Sequence, residues 1–359
     1  MHCMELSTIW VALTKVYLFR IQYPSKMNVS IFGGPMRLPP FQYLEPINVE
    51  EALSMIATHK EKIKIVAGGT EVLNHMKLRL IEPAFVMNIG NLPSLDRVDI
   101  NDTEIVIGAN TRLKDIARAP LVNKRFKAIS EAASQVASPT ITNMATVGGN
   151  LLQNTRCMYY DQSGMVLNGL ERCHKRGGTV CLAVKGSNRC FSVYQGDMAP
   201  ALIAFDARCV LEKKGSTRTV PITELFTGTG ITPLAIGADE LLTKIIIPKP
   251  KTLCGSAYRK LRLRGSVDYP LASAAAFVSV TNDRKDTTCR LVIGAAGASP
   301  KVIDGPSGEA DVEKMVQRAY EQTEGVNNLQ LPGAYRRKMV SVLAKRAIAA
   351  AMDGIKEGM

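Results

Sequence analysis

The tightest constraint on this chain is a pair of glycines between an apolar strand and the start of a helix. The run is Ile65-Val66-Ala67-Gly68-Gly69-Thr70-Glu71. Without a Cβ the backbone turns sharply and lets another chain segment or a ligand approach closely, and free N–H groups there can face an anion. Thr70 adds a hydroxyl donor. A second run, Thr146-Val147-Gly148-Gly149-Asn150, offers a similar turn with Asn150 as a further donor. Neither run is G-x-G-x-x-G, so the dinucleotide fingerprint of a Rossmann unit is not supported. Each turn read alone is compatible with a plain bend. Two of them, each after an apolar segment, also fit a split pyrophosphate site.

Around the first turn the pattern is βαβ-like. Glu50–Thr58 is a helix candidate, Lys64–Ala67 a strand, and a helix runs from Thr70 through Lys77–Arg79. Ala84–Ile89 and Glu104–Ala109 read as strands, and Asn123–Val136 as a helix. After the second turn, Ala199–Phe205, Val210–Glu212 and Leu241–Ile247 read as core elements. Pro248-Lys249-Pro250 marks a domain junction, because proline removes donors and favours extended chain. Beyond it, Tyr258–Arg264, Ala274–Thr281 and Cys289–Ala296 predict an antiparallel sheet, and Glu309–Gln322 and Tyr335–Met352 predict helices. On the last helix Met339, Leu343, Ala347 and Ala351 form the apolar stripe, with Arg336, Lys338, Lys345 and Arg346 mostly on the polar face. The class is α+β.

The 359 residues allow two or three domains with real cores. With 21% charged residues and 46% hydrophobic ones, the composition is that of a globular protein rather than a disordered one. No apolar run reaches the ~18 residues of a membrane span. Residues 1–35 read differently from the rest. Leu6–Phe19 is apolar, but Glu5 and Lys15 interrupt the signs of a signal peptide and no small-x-small cleavage site follows. Met36 is the expected natural start, with residues 1–35 as translated upstream sequence. Gly33-Gly34 fits a ribosome-binding codon run, and a short helical appendage is the alternative.

Four of the eight cysteines, Cys157, Cys173, Cys181 and Cys190, fall within one short window. A chain with no secretory signal points to a reducing, cytoplasmic setting, where disulfides are rare. Intervals of fifteen, seven and eight residues contain no C-x-x-C pair, so zinc ribbons and thioredoxin-like sites fit badly. Four thiolates could hold a tetrahedral zinc or a cubane iron–sulfur cluster. Arg172, Lys175, Arg176, Lys185 and Arg189 outnumber Asp161 and Glu171 there, which favours thiolates and an anionic cluster. His174 is a rival ligand, and four buried thiols with no metal is the plain alternative. Cys3, Cys209, Cys254 and Cys289 stand apart as core or surface thiols.

Met36–Glu45, the two glycine turns, Asp197-Met198-Ala199-Pro200-Ala201-Leu202 and the stretch from Lys260 onward, in this order, resemble the flavin-binding medium subunit of molybdenum hydroxylases, the family of carbon monoxide and xanthine dehydrogenases. The resemblance covers Met36 to Met359. It implies an FAD-binding region of two α/β subdomains of PCMH type over residues 36–250 and a C-terminal α/β domain over 251–359. The window 157–190 resembles an insertion of the 4-hydroxybenzoyl-CoA reductase beta subunit, whose extra loop carries a [4Fe–4S] cluster on four cysteines. By this resemblance Gly68-Gly69 and Gly148-Gly149 hold the FAD pyrophosphate, Asp197 contacts the ribityl or flavin side, and Lys260 lies near the isoalloxazine ring. Ile65, Val66, Ala67, Thr70, Glu71, Thr146 and Asn150 complete the cofactor-binding set. Glu71 stands where many members have Asp.

The implied role is electron transfer from ferredoxin through the cluster and FAD to [2Fe–2S] and molybdopterin partner subunits, in a dimer of heterotrimers. FAD exchanges electrons singly or in pairs, so no catalytic acid–base pair is required in this chain, and none is found. The substrate reaction belongs to the molybdenum subunit, where 4-hydroxybenzoyl-CoA loses its phenolic hydroxyl. A formal charge of +13 suits docking of an acidic ferredoxin and is equally explained by scattered solvated Lys and Arg. An FAD subunit of a xanthine- or aldehyde-type dehydrogenase is the alternative within enzymes. A zinc-bearing nucleic-acid-binding protein lacks the required aromatic interleaving and finger spacing.

Overall fold

The computed structural model describes residues 37–120, 122, 126–280 and 287–356. The readings of residues 1–36 and of Asn123 to Arg125, and the last residue of the expected Ala274–Thr281 strand, lie outside these.

The chain builds three sheets among the described residues. The first is parallel, with strands β1 (Gln42–Leu44), β2 (Ile63–Val66) and β3 (Phe85–Asn88) in the order β1-β3-β2. The helix Val49–His59 crosses between β1 and β2. Asn48 opens it, its side-chain oxygen accepting the Glu51 N–H at 2.8 Å. Its apolar stripe of Ala52, Leu53 and Ile56 packs against Ile63, Met87 and Ile89. The expected βαβ arrangement is present, with the first glycine turn at the C-terminal end of β2.

The second sheet is antiparallel: β4 (Val98–Ile100), β5 (Glu104–Gly108), β6 (Arg208–Lys213), β7 (Ser216–Pro221) and β8 (Leu241–Pro248), in the order β4-β5-β8-β6-β7. Strands distant in sequence are neighbours here, so the segment between β5 and β6 leaves the sheet and returns. That excursion carries the second glycine turn and the cysteine window. Ile105, Ile107, Leu211 and Ile245 face a core shared with the helices Lys127–Ser134 and Met198–Ala204. The helix expected over Asn123–Val136 has its described part at Lys127–Ser134.

The third sheet joins β9 (Cys254–Leu261), β10 (Ala272–Val280), β11 (Thr287–Gly294) and β12 (Lys301–Pro306) as an antiparallel meander, as the sequence predicts. Alternation sends Ala272, Ala274, Ala276 and Val278 of β10 toward the helices Glu309–Glu321 and Gly333–Lys356, while Ala275 and Phe277 face the middle core. Both faces are covered, which is why this strand is almost wholly small and apolar.

Arg336 departs from the amphipathic reading of the last helix. It is 2% exposed, not on the polar face. Its guanidinium donates to Val326 O, to Asn328 Oδ1 at 2.8 Å and to Leu331 O at 3.3 Å, so the preceding loop satisfies the charge. Burial lowers its pKa to about 10. Among the described residues no helix is long and apolar enough to cross a membrane.

Candidate functional site

The two glycine turns, far apart in sequence, lie against each other. A Cβ on Gly68 would stand 1.9 Å from Met144 O, two residues before Thr146, so the close approach of the second segment requires glycine at that position. Gly69 has φ +70°, a left-handed conformation that glycine adopts without cost.

The two turns differ in their donors. The N–H groups of Gly68, Gly69 and Thr70 make no hydrogen bond among the described residues. They form an open backbone cradle ahead of the short helix Val72–Lys77. In the second turn the donors are taken up by the protein. Val147 N–H donates to Thr111 O at 3.0 Å, Gly148 N–H to Ala109 O at 2.9 Å, and Gly149 N–H to Thr146 Oγ1 at 3.1 Å. A Cβ on Gly148 would meet Ala109 at 2.9 Å, whereas one on the exposed Gly149 would approach only Thr146 Oγ1, at 3.1 Å. Asn150 is buried, and its Oδ1 accepts the Met198 N–H at 2.9 Å. The second turn therefore contributes a shaped wall with one bare glycine on it, and the first contributes N–H donors. Ile65, Val66 and Ala67 are half-buried and lead the chain into the cradle.

Asp197 and Lys260, which sequence reasoning placed separately, are partners. Lys260 Nζ lies 3.0 Å from Asp197 Oδ1, with side chains 0% and 3% exposed. Tyr258 Oη donates to the same carboxylate at 2.7 Å, and Lys260 also donates to Gln135 O at 3.0 Å. Burial raises the Asp197 pKa, and the Lys260 charge opposes that rise. The pair ties the start of the Met198–Ala204 helix to β9.

Next to the cradle Glu71, already in the expected cofactor-binding set, joins a polar cluster with His75, Arg156 and Asp161, which sequence reasoning did not place in a site. Glu71 Oε1 and Asp161 Oδ1 stand 3.7 Å and 3.8 Å from His75 Nε2, and Arg156 Nη2 is 3.7 Å from Asp161 Oδ1. Asp161 Oδ2 accepts the Cys157 N–H at 3.0 Å, so the cluster runs from the glycine turn to the first cysteine of the window. Burial raises the Glu71 carboxyl to about 7, with Arg156 opposing, and lowers His75 to about 4. Arg156 and Asp161 flanking Cys157 were the only signal in the sequence.

Cys157, Cys173, Cys181 and Cys190 line one cavity, together with Tyr160 and Lys175. None of the four is in a disulfide. Burial, reinforced by the other three cysteines, pushes the Cys157 thiol up to about 12. His174, the rival ligand, points its Nε2 at Ser187 O, 3.0 Å away. Lys175 fixes the loop by donating to Asn154 Oδ1, Thr155 Oγ1 and Gly230 O at 2.9, 2.7 and 2.6 Å. Among the described residues no three His, Cys, Asp or Glu side chains come close enough to hold a single metal ion.

Residues 39–250, more than half of the chain, match the family described as the FAD binding domain in molybdopterin dehydrogenase. The chain belongs to this FAD-binding family of the molybdenum hydroxylases. Within it, the FAD-binding subunit PaoB of aldehyde oxidoreductase from Escherichia coli K12 is 29% identical over 294 residues, covering 77% of this chain and 87% of that one. The carbon monoxide dehydrogenase medium chain of Hydrogenophaga pseudoflava is 28% identical over 324 residues, covering 87% and 97%. In structure, carbon monoxide dehydrogenase from the same organism superposes with a TM-score of 0.72 at 23% identity, covering 89% of this chain and 99% of that one. The α+β fold is thus that of a molybdenum hydroxylase FAD subunit. Membership makes the chain an oxidoreductase subunit with FAD as its cofactor, and the open cradle at Gly68 to Thr70 has the donors that such a cofactor's phosphates need.

Proposed function

We propose that this chain is the flavin and iron–sulfur electron-transfer subunit of a 4-hydroxybenzoyl-CoA reductase type of molybdenum enzyme. The observation that carries the reading is the convergence of Cys157, Cys173, Cys181 and Cys190 on one cavity. A cubane cluster takes four cysteine thiolates, the number that line this cavity. Lys175, beside the cavity, would offset the negative charge of a thiolate-bound cluster.

In this reading FAD and a [4Fe–4S] cluster, when bound, supply exchange between one-electron and two-electron carriers. The N–H groups of Gly68, Gly69 and Thr70 hold the FAD pyrophosphate. Thr146, Gly148, Gly149 and Asn150 form the wall against it, and Glu71 closes the side facing the cysteine loop. Asp197 and Lys260 support that wall from within, through the Met198–Ala204 helix. The domain division at residue 250, the ferredoxin donor, the molybdopterin and [2Fe–2S] partner subunits, the dimer of heterotrimers and the cytoplasmic setting belong to the same proposal.

One relative belongs to an aldehyde oxidoreductase, which keeps an aldehyde- or xanthine-type dehydrogenase as the second reading. Anaerobic purification of the native complex separates the two. The first reading expects four irons bound by this chain, loss of that iron with retention of FAD in Cys181→Ser, and dehydroxylation of 4-hydroxybenzoyl-CoA with reduced ferredoxin. Unchanged iron content in Cys181→Ser would remove the cluster from the proposal. Turnover of an aldehyde or a purine in place of the thioester would establish the second reading.

A further inference from the structure

A second, open pocket adjoins the cysteine cavity and shares Tyr160 and Lys175 with it. Arg79 and Arg176 complete its charged lining, and no carboxylate lines it. None of these three cations forms an ion pair among the described residues. Asp161 offsets the charge of Lys175 in part, but no carboxylate pairs with Arg79 or Arg176 among the described residues, and like charges left so repel each other and favour an anion.

The backbone supplies an independent observation. Arg79 ends the Val72–Lys77 helix at φ +59°, where Leu80 N–H turns back to His75 O at 2.9 Å. This left-handed position after a helix is ordinarily glycine, because a Cβ is strained there. The chain instead keeps an arginine whose side chain reaches the pocket. Non-glycine residues held in such conformations concentrate at functional sites.

The donors are divided. Lys175 already gives its three protons to Asn154, Thr155 and Gly230, so it contributes field rather than a hydrogen bond. Arg176 uses Nη1 on Leu167 O at 2.9 Å, and its Nε and Nη2 make no hydrogen bond among the described residues. The Arg79 side chain makes none there either. Arg79 and Arg176 both line the pocket, and two guanidinium groups suit the several oxygens of a phosphate better than a single carboxylate.

We propose that this pocket is an anion site for a doubly charged phosphate group, held by Arg79 and Arg176 in the field of Lys175. The group is either free inorganic phosphate or the terminal monoester of a small molecule. The site is separate from the Gly68–Thr70 cradle and requires neither a cluster nor a particular substrate of the complex.

The test titrates the full-length FAD-loaded chain with inorganic phosphate and, separately, with glycerol 3-phosphate, following binding by calorimetry and by the shift in thermal midpoint. Saturable binding is expected, and tighter binding of one probe identifies the form of the ligand. Arg79→Gln and Arg176→Gln should each weaken it about tenfold, the effect of losing a charge-assisted pair. Arg208→Gln on β6 should leave it unchanged. Arg79→Gly separates binding from folding, because it relieves the left-handed strain. It should keep or raise the midpoint measured without phosphate and diminish the phosphate-dependent rise as Arg79→Gln does. Absence of saturable binding in the wild-type chain would overturn the proposal, and so would wild-type affinity in Arg79→Gly and Arg176→Gln.

Discussion

Lys260 reaches Asp197 across the seam between β9 and the Met198–Ala204 helix, and the 3.0 Å contact is closed off from solvent on both sides. A buried pair of this kind contributes little net stability against an apolar replacement, but removing one partner strands the other charge. Lys260→Met should therefore cost about 3–5 kcal/mol in denaturant unfolding. The double variant Asp197→Asn, Lys260→Met should recover most of that loss. If FAD affinity returns with stability in the double variant, the pair acts on the flavin through the fold. If stability returns and FAD does not, Lys260 touches the cofactor directly.

The neighbouring glycines Gly148 and Gly149 should respond differently to valine. At Gly148 the new side chain meets Ala109 at 2.9 Å inside the core, and overpacking costs about 1–3 kcal/mol. At Gly149 it meets only Thr146 Oγ1, which caps the following turn, and otherwise projects outward. Gly149→Val should fold, keep any iron and lose FAD. Flavin titration with parallel thermal melts checks both variants, and wild-type flavin affinity in Gly149→Val would show that the second turn does not face the cofactor.

Glu71 and His75 give opposite pH dependences. Glu71 is raised from 4.5 to about 7, so between these values the folded chain holds a proton that the unfolded chain releases, and stability falls as pH rises through that window. His75 is lowered from 6.5 to about 4, so the unfolded chain binds the extra proton and stability rises across about pH 4 to 6.5. Glu71→Gln removes the first effect alone. Relative to the wild type it should gain on the order of 2–3 kcal/mol between pH 4.5 and 7, at about 1.4 kcal/mol per pKa unit. Urea unfolding of both proteins across this range checks the sign. A constant difference would mean that Glu71 is ionised throughout the range.

Much of the fold was legible because it is written in local periodicity. The strand at Ile63–Val66, the meander from β9 to β11 and the two C-terminal helices follow from apolar alternation and from stripes at helical spacing. Short edge elements such as β4 and β7 were not legible, since their exposed residues carry little hydrophobic pattern. Arg336 was misread because helical spacing reports which face a residue occupies, not whether loop carbonyls will cover that face.

The sequence by itself determined the glycine turns, the four-cysteine window and the order of motifs that marks the family, because each depends on residue type and spacing along the chain. Only the tertiary structure decided what those pieces do for one another. Among the described residues it left the donors of one glycine turn without partners and bonded those of the other, two of them to the segment Ala109–Thr111. It joined Asp197 to Lys260, and it ran Glu71, His75 and Asp161 from the cradle to Cys157. The physical reason is that hydrogen-bond satisfaction and desolvation depend on which distant segments share a low-dielectric space, and that is set when the sheets and helices pack.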